Sequence, residues 1–439
     1  LINEPIEHAI MIGIFIDWER IKIKGFSKKA AMAITAATML ISGSQAALAA
    51  PVAKPSVSII LDGYPLSFPS EPVIVNSTNM VPFRAIAEAL RISVVWDPAK
   101  KAITATKTVQ GQLKKVVLQL NKKQAIVNGT AAQLTAAPIN QAGSTLVPLA
   151  FFSSQFGAGV AWNGATKTVT IQSPVEDIYA MAYYAMSSFK ERAYIDSLDA
   201  VSFGWSRINK EGELIFDGID FYWPQAAGEI TPERIVADAA ANGTDPYFMV
   251  FGTDGSGEVT KLLSDPDLSA KAIEAIVQTA KEKGFKGVAI DFEGLGLTGD
   301  RKLAQQQFTG FIQNLQAKTK PLGLKISLAL HPLNGAYHGY DYKELAKVAD
   351  ELVIMAYHYE DGESPEPMKR VDEGIRLALK EVKKDQLLLG ISFGSENAQT
   401  VNDKIGLAKR YGLKGIALWR LGMIGDAAYQ EMKQTIVME

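Results

Sequence analysis

The chain has 439 residues, of which 47% are apolar and 21% charged, with a formal net charge of −2. That length exceeds one ordinary domain, and so small a charge excludes a general electrostatic pull toward nucleic acid or anionic membranes. Cysteine is absent, which excludes disulfides, thiolate metal sites and cysteine nucleophiles but leaves the compartment open.

Residues 1–49 read as a mis-assigned start followed by a secretory signal. Residues 1–19 begin without Met and carry Asp17 and Glu19 ahead of a basic run. Arg20, Lys22, Lys24, Lys28 and Lys29 form that run, residues 30–41 are apolar, and Ala47-Leu48-Ala49 offers small residues at −3 and −1 of a cleavage point. Basic, apolar and small in that order is the layout of a signal peptide. The apolar run is shorter than the ~20 residues that span a bilayer. The expectation is a protein secreted by, or displayed on, a bacterium, with no stable membrane span after cleavage.

Residues 57–174 contain one pattern twice, offset by 66 positions. Ile60 and Gly63 match Ile126 and Gly129, Val81-Pro82 matches Val147-Pro148, and Val94 and Trp96 match Val160 and Trp162. Asp62-Gly63 and Asn128-Gly129 are tight-turn dipeptides between apolar runs. Pro82 and Pro148 stand where short helices can begin. Each copy therefore reads as hairpin, helix, hairpin in a small α+β domain. Tryptophan at matched repeat positions reads first as core, with sugar stacking as the other use. The run Met80-Val81-Pro82-Phe83-Arg84 with Val95-Trp96-Asp97, and their second copies, resemble the stalk-type domain related to the N-terminal domain of copper amine oxidases. No histidine lies between residues 57 and 174, so an imidazole copper site is excluded there. What remains is a module that binds a cell-wall polymer or an inert spacer.

From about residue 177 to 439, apolar runs alternate with longer helical stretches. The candidate strands are 179–184, 200–205, 247–251, 287–292, 325–330, 351–357, 386–392 and 415–419, with helices expected over 269–283, 341–348 and 398–411. Alternation with near-continuously apolar strands argues a parallel sheet. Eight strands in this length match a (β/α)₈ TIM barrel. An open doubly wound sheet would want a Gly-rich phosphate turn after its first strand, and none is visible.

Chemistry in such barrels sits at the C-terminal ends of the strands. The fourth strand ends Gly287-Val288-Ala289-Ile290-Asp291-Phe292-Glu293. Alternation puts Asp291 and Glu293 on one face, roughly 6–7 Å apart along the strand, with Ile290 and Phe292 on the other. Two acids at the inward end of a core strand are costly to bury without a purpose.

This run resembles the signature of glycoside hydrolase family 18, whose fourth strand typically reads Asp-Gly-x-Asp-x-Asp-x-Glu. Residues 200–205 resemble the family's second strand, Ile354-Met355-Ala356-Tyr357 its sixth, and Gly415-Ile416-Ala417-Leu418-Trp419 its eighth. The likeness looks closest to the branch acting on bacterial and spore walls. The departures are Lys286 and Ala289 where the first two motif acids stand, and His358 where an Asp usually follows the Tyr. Glu360 and Asp361 are the nearest carboxylates to replace the last.

The resemblance implies a substrate-assisted glycosidase in which the substrate's 2-acetamido oxygen attacks the anomeric carbon. Glu293 would be the general acid and then the base. Asp291 would hold the acetamido N–H, Tyr357 its carbonyl, and Trp419 would stack under the sugar. Tyr183, Trp205 and His331 stand at other strand ends as substrate-lining candidates, with ordinary barrel packing as their alternative reading. No metal or cofactor is called for. The expected partner is a polysaccharide containing N-acetylglucosamine, either chitin or peptidoglycan including spore cortex. A catalytically inactive, lectin-like barrel is the alternative.

The signal-peptide reading predicts that N-terminal sequencing of exported protein starts at Ala50 or within a few residues of it. A mature chain that keeps Lys28 and Lys29 contradicts it.

Overall fold

The computed structural model describes residues 57–439 apart from positions 110, 219 and 439, so the expected signal segment lies outside the described residues. A β-rich N-terminal domain leads into a closed barrel.

The N-terminal domain is built from short hairpins. At Asp62-Gly63 and Asn128-Gly129 the φ angles are 47° and 72°, and 49° and 88°. Two successive left-handed residues make the tight turn that matches strand twist, and Asn, Asp and Gly bear that conformation at least cost. Pro82 and Pro148 each immediately precede a short helix, Phe83–Ala89 and Leu149–Gln155. The strands leading into these helices pair antiparallel, with Val81 opposite Val147. The first strand, Ser58–Leu61, pairs in parallel with the last, Thr168–Gln172, which ties the two ends of the domain together.

Trp96 and Trp162 depart from the expectation of core positions. They are 36% and 47% exposed. Each lies on an edge strand, Ser93–Asp97 and Gly159–Asn163. Val94 and Val160 of those strands pack against the core, whereas the tryptophans two residues on do not join it.

The barrel strands are β1 (Tyr179–Tyr184), β2 (Ala200–Ile208), β3 (Asp245–Thr253), β4 (Gly287–Glu293), β5 (Lys325–Leu330), β6 (Glu351–Ile354), β7 (Leu387–Ser392) and β8 (Gly415–Trp419). All eight run parallel, and β1 bonds to both β2 and β8, so the sheet closes. Alternation along each strand sorts side chains between two environments. Phe203, Ile290, Phe292 and Leu328 face the helices, whereas Met181, Tyr183, Met249 and Ala289 fill the lumen.

Helices between the strands begin on identifiable caps. Asp265 accepts from the amides of Asp267 and Leu268 at the start of Pro266–Glu282, and Asp300 does the same for Arg301–Thr319. Such caps contribute about 1 kcal/mol each. β6 is shorter than the sequence suggests. After Ile354 the chain leaves the ladder, the Ala356 amide turning back onto the Ile354 carbonyl at 2.8 Å.

The domains keep separate cores and meet through polar contacts and through Tyr64, whose ring packs against the barrel's core. Arg410, on the helix Val401–Tyr411, donates to the carbonyls of Leu61 at 2.8 Å and Tyr64 at 3.0 Å. Lys409 donates to Pro174 at 2.7 Å and Thr435 at 3.0 Å. Arg91 and Lys107 both pair with Glu176 at the junction.

Candidate active site

β4 lies between β3 and β5, with Asp291 opposite Phe251 on one side and Ala329 on the other. Its outward residues, Ile290 and Phe292, are fully buried against the helix layer. Parity then commits Asp291 and Glu293 to the lumen. Asp291 is buried, 3% exposed, and Glu293, one step nearer the mouth, is half-buried.

Lining the same space are Tyr183 from β1 and Tyr357 from the segment after β6. Tyr357 reaches across to β7, where a Cβ at Gly390 would stand 3.0 Å from its ring and 2.8 Å from the Ile354 carbonyl. Glycine at 390 is therefore what admits the ring. Trp419 ends β8 and meets Tyr183 edge-on, ring centroids 5.4 Å apart. Phe221, from the excursion after β2, stacks on Phe251 at 4.1 Å and lies 6.2 Å from Trp419. One wall of the lumen mouth is thus aromatic and the other acidic.

The electrostatics follow from burial. Burial, and then the Glu293 carboxylate beside it, hold Asp291 well above the ordinary carboxylate range. Burial raises Glu293 to about 7. Two acids this close in a dry site do not both ionise easily, so the pair retains a proton near neutrality. Burial first, with the neighbouring acids adding to it, also lifts the Tyr183 and Tyr357 hydroxyls, which leaves both as neutral hydrogen-bond donors.

Residues 236–406 match the family model described as Glycosyl hydrolases family 18, and residues 60–171 match that of the Copper amine oxidase N-terminal domain. The family 18 match falls within the barrel. The chain is 27% identical over 139 residues to the cortical fragment-lytic enzyme of Bacillus subtilis, 29% of this chain and 31% of that one. It is 25% identical over 177 residues to the enzyme of the same description from Bacillus anthracis, 37% of this chain and 40% of that one. The matches thus span less than half the length of these relatives. A solved class V chitinase from Pseudomonas fluorescens shares the fold, with a TM-score of 0.50 at 19% identity, covering 58% of this chain and 99% of that one.

Within the barrel, the site residues proposed from sequence separate into two groups. Asp291, Glu293, Tyr357, Trp419 and Tyr183 converge on the lumen mouth. His331 sits beside them but serves the backbone. Its Nε2 accepts from the Gly294 amide at 3.3 Å and its ring stacks on Tyr337 at 4.2 Å. Burial, with His358 contributing, lowers its pKa to about 4, so the imidazole is neutral and buttresses the turn after Glu293. Trp205 is a correction. It is buried among Phe203, Tyr184 and Trp223 in the layer between strands and helices. The ladder between β2 and β3 shifts register between Gly204 and Ser206, and Trp205 packs outward there.

The family departures also find places. Lys286 is exposed just before β4, at the closed end of the barrel and five residues from Asp291. Ala289 is buried directly beneath Asp291. His358 is exposed, with φ of 57°, and its amide donates to Glu366 Oε1 at 2.7 Å. Asp361 is occupied by its own turn, accepting from the amides of Glu363 and Ser364, and Glu360 is exposed. Neither carboxylate replaces the missing acid in the lumen. Among the described residues no cluster of three or more His, Asp or Glu side chains is arranged to hold a metal.

Two contributors had no local signal in the sequence. Tyr340 donates its hydroxyl to the Phe292 carbonyl at 2.7 Å and accepts from the Leu295 amide at 3.3 Å, strapping the end of β4. Its loop crosses at Gly339, where a Cβ would stand 2.6 Å from Leu295. Phe221 was the other, an aromatic in a stretch of turns.

The raised pKa of Glu293 has a stability consequence. Stability associated with this carboxyl is fully present below its unfolded value near 4.3 and is lost as pH rises through about 7. Glu293→Gln removes the ionisation. Its Tm, followed across pH by scanning calorimetry, is expected to exceed that of the parent above pH 7 and to converge with it near pH 4. A constant difference at every pH contradicts the shift.

Proposed function

We propose that the chain is an exported glycoside hydrolase that cleaves β-1,4-linked N-acetylglucosamine glycans with retention of configuration. The observation that carries this reading is the vertical arrangement of the two acids. Two-carboxylate glycosidases place their acids on opposite sides of the scissile bond. Here Asp291 lies beneath Glu293 on the same strand, too deep to attack an anomeric carbon at the mouth. The nucleophile must then come from elsewhere, and a 2-acetamido oxygen of the substrate fits the vacant role.

In this scheme Glu293, poised near neutrality, protonates the leaving oxygen and afterwards activates water. Asp291 accepts from the acetamido N–H and offsets the cationic oxazolinium. Tyr357 donates to the acetamido carbonyl. Trp419 supplies a flat apolar surface for a pyranose, since aromatic rings suit the C–H face of sugars. The matched relatives named for cortex lysis support wall glycan as the polymer, with chitin as the related substrate sharing the same sugar. The N-terminal domain, whose two exposed tryptophans could rest on glycan, accounts for attachment to a wall polymer.

Glu293→Gln is expected to lower kcat by about 10²–10⁴-fold on a glycan that the parent cleaves, with KM little changed. Asp291→Asn is also expected to lower kcat, and the double variant to lose no more than the worse single one, because both residues serve one transition state. Products are read by mass spectrometry. Parental turnover by Glu293→Gln overturns the assignment, and glycan binding without turnover by the parent moves the reading to a lectin.

A further inference from the structure

Tyr357 enters the lumen from beyond the end of its strand, since β6 stops at Ile354. Its hydroxyl lies within electrostatic reach of Asp291, Glu293 and Tyr183. Two residues on, Tyr359 packs instead with the layer between strands and helices, its hydroxyl donating to Asn334 Oδ1 at 2.9 Å. In an extended strand residues 357 and 359 would share a face. The residue between them, His358, has φ of 57°, and this left-handed step turns the chain from the lumen to the helix layer. A residue other than glycine holds that conformation only where its surroundings over-determine it.

Glu366 supplies those surroundings. Its Oε1 accepts from the His358 amide at 2.7 Å and its Oε2 from the Tyr359 amide at 3.2 Å, so one carboxyl grips the backbone on both sides of the left-handed step. Glu366 is buried and lies between Pro365 and Pro367. The proline that follows restricts it to extended backbone, and the helix Met368–Glu381 begins directly after that proline. From behind, the Glu366 amide donates to Glu396 Oε1 at 2.9 Å, and the same oxygen pairs with Lys404 Nζ at 3.1 Å, both partners buried. Lys404 belongs to the helix Val401–Tyr411. A chain of buried polar contacts thus runs from a helix of the barrel wall to the residue after Tyr357. A buried carboxyl is costly to keep unless its oxygens are used, and the use of Glu366 is these two amides.

We propose that Glu366 is a positioning residue for Tyr357: by clamping the amides of His358 and Tyr359 it fixes the left-handed turn that aims the Tyr357 hydroxyl into the lumen, at the place of the substrate's acetamido carbonyl. It acts through the backbone. Tyr359 is pinned at Asn334 on one side and Gly390 gives the Tyr357 ring room on the other, so the turn at His358 sets where the hydroxyl points. The link to turnover rests on the hydrolase reading, whereas the placement of Tyr357 does not.

The test reads Tyr357 by NMR in the ligand-free full chain, with tyrosine ¹³C-labelled at Cζ and the Tyr357 resonance assigned by its loss in Tyr357→Phe. Glu366→Ala removes both acceptors and is expected to shift or broaden that resonance. Those of Tyr179 and Tyr247, at the closed end of the barrel, are expected to stay in place and report an intact fold. In turnover, Glu366→Ala is expected to lower kcat by about 10–10²-fold, as misplacing a reacting group does, with KM within about twofold. Added to Tyr357→Phe, it is expected to lower kcat no further, because it acts through the hydroxyl that this variant lacks. A Tyr357 resonance in Glu366→Ala that superimposes on the parent overturns the proposal, and so does a double variant whose losses add. If Glu366→Ala fails to fold, Glu366→Gln, which keeps the volume but offers one carbonyl acceptor to two amides, decides on the same readings. A shifted Tyr357 in a protein that cleaves no glycan would remove the hydrolase reading and leave this one standing. Glycan cleavage with an unshifted Tyr357 would do the reverse.

Discussion

Carboxyl groups are expensive to keep in a closed lumen, and this barrel keeps two of them one above the other on β4. The rest of the mouth can be understood as what that arrangement demands. Small residues make the space: Gly390 admits the Tyr357 ring, and at Gly204 a Cβ would stand 3.0 Å from Phe221. Hydroxyls held neutral by burial face the acids without competing for charge. Tyr340 and His331 fix the backbone at the end of β4, from the carbonyl of Phe292 to the amide of Gly294, on either side of Glu293. The burial that makes the pair costly is also what raises Glu293 to about 7, where a carboxylic acid can give up its proton at neutral pH.

The N-terminal domain adds no residue to this mouth. Its contacts fall on the helix Val401–Tyr411, which leads into β8 and whose Lys409 and Arg410 find backbone carbonyls as acceptors, and on Glu176 at the junction, which pairs with Arg91 and Lys107. A charge taken out of water needs such partners to be tolerated. The contact surface thus lies behind the strand that ends in Trp419, and the tryptophans of the two edge strands stay exposed on the domain's own surface.

Much of this was legible in the sequence because strand parity is a local property. Alternation alone assigned Asp291 and Glu293 to one face and Ile290 and Phe292 to the other. Turn dipeptides located the N-terminal hairpins because φ greater than zero selects Asn, Asp and Gly. Errors arose where position depends on what the rest of the chain covers. Trp96 and Trp162 looked like core because they repeat, yet edge strands left them uncovered. Trp205 looked like lining because it sits near a strand end, yet a register shift after Gly204 turned it toward the helices. Tyr340 and Phe221 were invisible because their partners lie far away in sequence, Phe292 being 48 residues from Tyr340.

The central claim is that an acetamido oxygen of the substrate, and not a water activated by the acid pair, makes the first attack on the sugar above Asp291 and Glu293. The configuration of the freshly released sugar tests it most directly. Proton NMR of a chito-oligosaccharide or wall-glycan digest, recorded before mutarotation, is predicted to show the new reducing end in excess of the β-anomer. An initial excess of the α-anomer would mean direct attack by water on the opposite face, and would contradict the account.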